Sequence, residues 1–281
     1  CHCTENKALQ ARVFVAGGGE TAAGTLYLDR ACRIVKLCLA RHRSLPISAE
    51  QFVASVPSHK RATYEAARLS LETDPLNEKD ARVKAFVKAD KMTGLKPPVR
   101  PRAIQGRHPR FNLVYGRYIK PAEHLLYGWL GPRRGVRRTR IFAKGLTNAQ
   151  RGAALRKKCA QFDEPCAYSL DVSSFDGSHR SSHLRRNHRV YRACVETDAE
   201  LEFCMESQIN NRGKMGRDGT RYKIEGNRMS GDADTAFGNC VSTLLIVIAA
   251  MLMLGVRKWD GLIDGDDAVL VLERRDAITA Q

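Results

Sequence analysis

The chain has 281 residues, with 47 Lys and Arg against 30 Asp and Glu, a formal net charge of +17 and a pI near 9.7. With 43% hydrophobic and 27% charged residues it can bury a core, which excludes collagen-like, low-complexity and disordered classes, and its length allows one large domain or two ordinary ones. The charge calls for an acidic partner, with nucleic acid the first candidate and an anionic membrane the second.

Residues 1–45 read as mixed structure with a turn at Gly17-Gly18-Gly19, which lacks the Gly-Lys-Ser/Thr continuation of a phosphate loop. Cys1, His2, Cys3, Cys32, Cys38 and His42 do not have zinc-finger spacing. Nine cysteines, an odd number in a chain too long to need staples, read as free thiols in a reducing compartment. Residues 46–89 predict helix, with Ser48 as a cap. Pro97, Pro98 and Pro101 predict an extended segment over Val99–Gln105, followed by a helix over 111–130. From Lys91 to Lys158 there are 18 Lys and Arg and one acid, Glu123. Arg outnumbers Lys 32 to 15 in the whole chain, a bias that suits bidentate phosphate contacts. Most basic residues over 133–158 are read as solvated surface charge.

A helix at Gln150–Lys158 precedes a short strand, Cys166–Asp171. Residues 180–210 predict helix, on which His183 and His188, with His179 just before it, read as solvated or half-buried. Residues 219–230 predict a hairpin or loop, and 233–256 a long apolar helix. Asn239–Val256 is uncharged over 18 residues, the lower limit of a membrane span, yet Asn239, Ser242 and Thr243 favour a buried core helix. Gly261–Glu273 predicts a hairpin of two apolar runs. Strands and helices mix without βαβ regularity, so the fold class is α+β.

The hairpin turn carries Asp264, Asp266 and Asp267. Carboxylates so close repel unless a cation neutralises them, and an all-oxygen donor set suits Mg²⁺. Gly-Asp-Asp alone arises by chance in about one average chain of this length in twenty. Asp171 ends an apolar strand, with Asp176 five residues on; alone, Asp171 reads as a turn or cap acid. A strand-tip carboxylate beside a carboxylate hairpin is what a two-metal phosphoryl-transfer site requires. Between the two acid sites lies Gly226–Asn239, where Ser230-Gly231 forms a loop before a helix and Thr235 and Asn239 share one helix face.

These three elements, in this order, resemble motifs A, B and C of the RNA-dependent RNA polymerases of positive-strand RNA viruses, most nearly the tombusvirus-like (carmovirus-like) enzymes. Gly226-Asn-Arg-Met-Ser-Gly-Asp, Ile263-Asp-Gly-Asp-Asp and Arg107-His-Pro-Arg-Phe-Asn carry the resemblance, which runs from about Phe86 to Glu273; residues 1–80 carry no motif. It implies a right-hand polymerase fold, with an N-terminal and fingers region over 1–85, a basic fingers segment over 86–160, and a palm over 161–281 with a helical insertion near 178–225. It implies that Asp171 and Asp266, with Asp267 beside them, hold two Mg²⁺ ions, or Mn²⁺ in their place. Asp176 and Asn239, helped by Ser230 within the Ser230-Gly231…Thr235 loop, would read the ribose 2′-OH. Arg102 would sit over the incoming triphosphate, and Lys88, Lys91, Arg100 and Arg107 would line the same channel. The implied partners are RNA template and primer, ribonucleoside triphosphates, and other replicase or host factors. The implied location is the host cytoplasm, at membrane-associated replication complexes, with no span in this segment.

The sequence departs from the family pattern at Asp234, where Asn is expected, and at Ser174, where Arg is usual; His179 falls one place late and takes no role. The chain ends fourteen residues after Asp267, so the motif D lysine and thumb are expected outside it, and the segment alone is expected to lack processive activity. The rival readings are a non-catalytic RNA-binding fragment, a membrane-anchoring protein and a reverse transcriptase, the last disfavoured by Asp176, Asn239 and Gly-Asp-Asp.

Overall fold

The computed structural model describes residues 2–15, 19–40, 43–89, 101–217 and 219–279. Lys91 and Arg100, with Gly17, Gly18, His42, Pro97, Pro98 and Val99, lie outside the described residues.

The N-terminal region is helical: α1 (His2–Arg12), α2 (Ala22–Leu39), α3 (Ala49–Ser55) and α4 (Ser58–Thr73). Thr21 caps α2 by accepting from the Gly24 amide, and Ser48 forms a reciprocal capping box with Gln51. The helix predicted over 46–89 is therefore two helices and a strand. Val56 before Pro57 and Asp74 before Pro75 are both extended, because a residue preceding proline is pushed out of the helical region. The chain then enters β1 (Val83–Val87), β2 (Ala103–Gly106) and α5 (Pro109–Gly128). Pro121 inside α5 cannot donate to the Arg117 carbonyl, and the Ile47 amide takes that carbonyl at 3.0 Å. The lost helical bond thus becomes a tie to the segment before α3.

After α6 (Asn148–Cys159) come β3 (Pro165–Leu170), the short α7 (Phe175–Ser178), α8 (Ser181–Cys194) and α9 (Ala199–Glu206). The single helix read over 180–210 breaks at Val195, which is extended and bridges Ser44, and restarts where Asp198 caps Leu201. β4 (Asn210–Met215) and β5 (Arg221–Glu225) form the hairpin. The inward residues of β4 are Asn211, Gly213 and Met215, which leaves little apolar alternation to read. The chain closes with α10 (Thr235–Met253), β6 (Trp259–Asp264), β7 (Asp267–Glu273) and α11 (Arg274–Thr279).

Two sheets result. One has the order β2-β1-β4-β5, with β1 and β4 parallel and the other pairs antiparallel; α1 covers one face of it through Leu9 and Val13. The other is antiparallel, in the order β3-β7-β6. α10 lies among α2, α8 and β6, and its apolar side chains form the centre of the main core. Most of this helix is buried in protein, which fits the core reading of the uncharged stretch.

The cysteines among the described residues whose side chains are defined are free thiols. Two expectations about polar residues need correction. His179 and His188 are buried, not solvated: His179 bridges the Phe175 carbonyl and Ser242, and His188 bonds Gln208. Arg134 and Lys158, inside the stretch read as surface charge, are fully buried around Asp260, at 3.1 and 2.9 Å. Burial pushes both cations' pKa values down, and Asp260 opposes that. This triad fastens the 131–159 segment to β6.

Candidate active site

The turn between β6 and β7 is a two-residue loop, Gly265-Asp266, closed by the Asp264–Asp267 pair. Gly265 has φ +76°, which glycine adopts without steric cost at the first central position of such a hairpin turn. α10 holds the turn from behind: Thr243 donates to the Gly265 carbonyl at 2.8 Å, and the Gly265 amide donates to the Cys240 sulfur at 3.2 Å. β3 pairs with β7 as far as Leu170 with Ala268, so the next residue, Asp171, comes level with Asp267.

The carboxylates here fall into two kinds. Asp264 is held by Lys144 at 2.6 Å and Arg151 at 2.7 Å, which outweigh its partial burial and lower its pKa. Asp171, Asp266 and Asp267 have no ion pair among the described residues. The Asp267 carboxyl is pushed up, by what burial it has and then by the charges of Asp266 and Asp171. Among the described residues no group of three or more His, Cys, Asp and Glu converges on a single metal position, so the structure does not bring Asp171, Asp266 and Asp267 together as the expected three-carboxylate set. Mutually repelling, cation-free oxygen donors fit a magnesium-type ion, which takes one or two carboxylates and completes its shell with water and phosphate oxygens.

Asp176, on α7, lies against α10. The Asn239 amide donates to it at 2.8 Å, and the Asn239 carbonyl oxygen is buried without a partner. Burial raises the Asp176 pKa, opposed by the Asn239 hydrogen bond and Arg228, with Asp266 adding to the rise. Asp176, Asp266, Ser230 and Arg102 line one cleft of about 150 Å³. Ser230-Gly231 is pinned to β2: the Gln105 amide donates to the Ser230 hydroxyl at 3.1 Å, and the Gly231 amide donates to the Gln105 carbonyl at 2.7 Å. A Cβ at Gly231 would stand 2.8 Å from the Gly106 Cα, so only glycine permits this approach. Thr235 does not face outward. Its hydroxyl donates to the Met229 and Asp232 carbonyls and fixes the loop ahead of α10.

Arg107 does not line the cleft. It is buried in an ion pair with Asp232 at 2.9 Å, bonds Asn211 and the Ala81 carbonyl, and stacks on Phe111. Beside it, Asp234 accepts from Arg228, Tyr191, Tyr115 and Gln208. The departure at Asp234 is thus balanced by a buried guanidinium 2.9 Å away.

Two charged cleft residues, Arg12 and Arg228, were given no role by sequence reasoning, and Ser174 was noted only as a departure from the family pattern. Arg12 ends α1 and reaches the Ser174 hydroxyl at 3.4 Å across 162 residues of sequence, a pairing no local pattern signals. Ser174 is left-handed, with φ 56° and ψ 40°, a costly conformation for a residue with a side chain. Arg228 lies within the motif B stretch, but only its burial separates it from a surface charge.

A family model described as viral RNA dependent RNA polymerase matches residues 23–281. It therefore begins well before Phe86, where the sequence motifs start. The chain is 37% identical over 239 residues to the RNA-directed RNA polymerase of Groundnut rosette virus (strain MC1), covering 84% of this chain and 28% of that protein. It is 39% identical over 251 residues to that of Pothos latent virus (isolate Pigeonpea/India), covering 88% and 32%. It is 37% identical over 227 residues to that of Tomato bushy stunt virus (strain Cherry), covering 80% and 27%. The chain belongs to the viral RNA-dependent RNA polymerase family. It spans about a third or less of the length of these curated relatives.

Proposed function

We propose that this chain carries the catalytic centre of an RNA-templated RNA polymerase within a right-hand fold. The β3-β7-β6 sheet with α10 is the palm, and the β2-β1-β4-β5 sheet with the basic segment belongs to the fingers. The observation that carries this reading is that Asp171, Asp266 and Asp267, none of them ion-paired with a described residue, lie at neighbouring strand ends, and Asp266 enters a cleft lined by Asp176 and three arginines.

Divalent cations held by Asp171 and Asp266, with Asp267 beside them, would neutralise charge on the reacting phosphate oxygens. The chain's own residues do the rest. Arg102 and Arg12 give the cleft the positive potential that draws in and orients a triphosphate, with Arg228 behind them paired to Asp234. Asp176 and the open acceptor of Asn239 recognise the ribose 2′-OH, and Ser230, held by β2, borders the same space. A primer 3′-OH then attacks the α-phosphate, and pyrophosphate leaves. Replication on cytoplasmic membranes with other replicase or host factors belongs to the same proposal.

RNA-primer extension with Mg²⁺ and ribonucleotides, using the parent reading frame beside its Asp266→Ala variant, tests this. Incorporation that disappears in the variant supports it. Equal RNA binding by both without incorporation replaces it with a non-catalytic RNA binder.

A further inference from the structure

The four-stranded sheet has two unlike faces. Ala85, Met215 and Tyr222 point toward α1 and the small core around Leu9 and Val13. The opposite face exposes Lys84 on β1, Arg212 and Lys214 on β4, and Arg221 and Lys223 on β5, with Arg82 just ahead of β1. The register aligns these charges. Lys84, Lys214 and Arg221 form one row across three strands, and Arg212 and Lys223 form the next. None of the six is ion-paired with a described residue. Of the acids on the strands themselves, only Glu225 shares this face, and it accepts from Ser181.

Like charges directly opposite on a sheet are destabilising. Any polar residue would satisfy a solvent-facing position, so two consecutive all-cation rows require a compensating polyanion. We propose that this face is a second RNA-binding surface that takes a single strand across β1, β4 and β5. This rests on the RNA-polymerase reading only in naming the polyanion as RNA. Arg82, Arg212, Lys214, Arg221 and Lys223, together with Val83, Gly213 and Tyr222 of the same strands, line a groove of about 580 Å³. The groove shares no lining residue with the catalytic cleft. Phe86, on the same face of β1 beyond Lys84, is 52% exposed. An exposed ring beside a basic groove is the pairing by which single-stranded nucleic acids are held, bases on the ring and phosphates on the cations.

The test is fluorescence anisotropy with a labelled single-stranded RNA of roughly 16 nucleotides. It compares the protein with its Arg212→Gln/Lys214→Gln/Arg221→Gln variant across a salt series. Three lost phosphate contacts should lower the slope of log affinity against log salt by about 2, and affinity by about 100-fold near 0.1 M salt. Phe86→Ala should weaken binding about tenfold with an unchanged slope, because stacking releases no counterions. Because the triple variant removes cross-strand repulsion at exposed positions, its thermal melt should be equal to or above that of the wild type. Unchanged affinity and slope in the triple variant would overturn the proposal. So would retained RNA binding together with lost binding to phosphatidylserine vesicles, which would assign the face to a membrane. Absence of primer extension in the wild type would count against the catalytic reading alone and leave this result standing.

Discussion

Two groups of aspartates lie close together in this molecule and are treated in opposite ways. Asp232 and Asp234 are buried and met by Arg107 and Arg228 at 2.9 Å, as Asp260 is met by Arg134 and Lys158. Asp171, Asp266 and Asp267 stand at the strand ends of the β3-β7-β6 sheet with no such partner. The difference separates structure from chemistry. Where the fold needs a carboxylate it supplies the counter-charge itself, and where it leaves several unmatched the proposed cations would supply it.

The largest expected effect falls on the unmatched group. Asp171→Ala or Asp266→Ala should lower primer extension by about 10³-fold or more, with a melting temperature equal to or above the wild type, since repulsion on Asp267 is relieved. A drop in melting temperature would make these acids structural. The matched group should behave in reverse. Asp234→Ala leaves Arg228 buried beside no carboxylate hydrogen bond, and Asp260→Ala strands Arg134 and Lys158. Each should cost about 3–5 kcal/mol in denaturant unfolding. Binding of the outside cation gives a third contrast: Mg²⁺ at about 100 times its Kd should stabilise the wild type by about 2.7 kcal/mol, and the Asp171→Ala/Asp266→Ala double variant not at all.

Acid sharpens the comparison further. Burial lowers the His188 pKa to about 4 and that of His179 well below its ordinary value. In the unfolded chain both take up protons from about pH 6.5 downward, and in the fold they do not. Stability is therefore complete above about pH 6.5 and falls by about 1.4 kcal/mol per pH unit per histidine as the pH drops toward 4. His188→Gln, followed by chemical unfolding over that range, should flatten the slope by one histidine's share. The smallest effect concerns selection. Asp176→Asn should reduce preference for ribonucleotides over deoxyribonucleotides about tenfold, the worth of one charged hydrogen bond, with little loss of stability because a raised carboxyl pKa marks an ionised form that the fold disfavours at neutral pH.

What the sequence made legible was local or motif-bound. The Gly265-Asp266 hairpin, the strand ending at Asp171 and the apolar α10 could be read directly, because turn chemistry and apolar runs act over a few residues. The approach of Asp176 to Asn239 followed from the resemblance. The resemblance placed Arg107 in the channel, and nothing local in the sequence signals its burial, because its partner Asp232 lies 125 residues away. Residues 1–80 carried no family motif, yet α1 brings Arg12 to the cleft. The β4 strand stayed hidden behind inward-facing Asn211 and Gly213, whose fit is set by partners elsewhere in the sheet.

The bonds between Gln105 and Ser230-Gly231 have a consequence for inheritance. The loop that borders the cleft takes its position from a strand laid down 125 residues earlier, so neither stretch is a transferable module. A Ser230-Gly231 loop grafted from a relative without its matching β2 would arrive with its hydroxyl uncoupled from the Gln105 amide. Recombination that cuts between residues 106 and 230 would separate two halves of one recognition surface. Crossovers on either side of that interval would keep it whole.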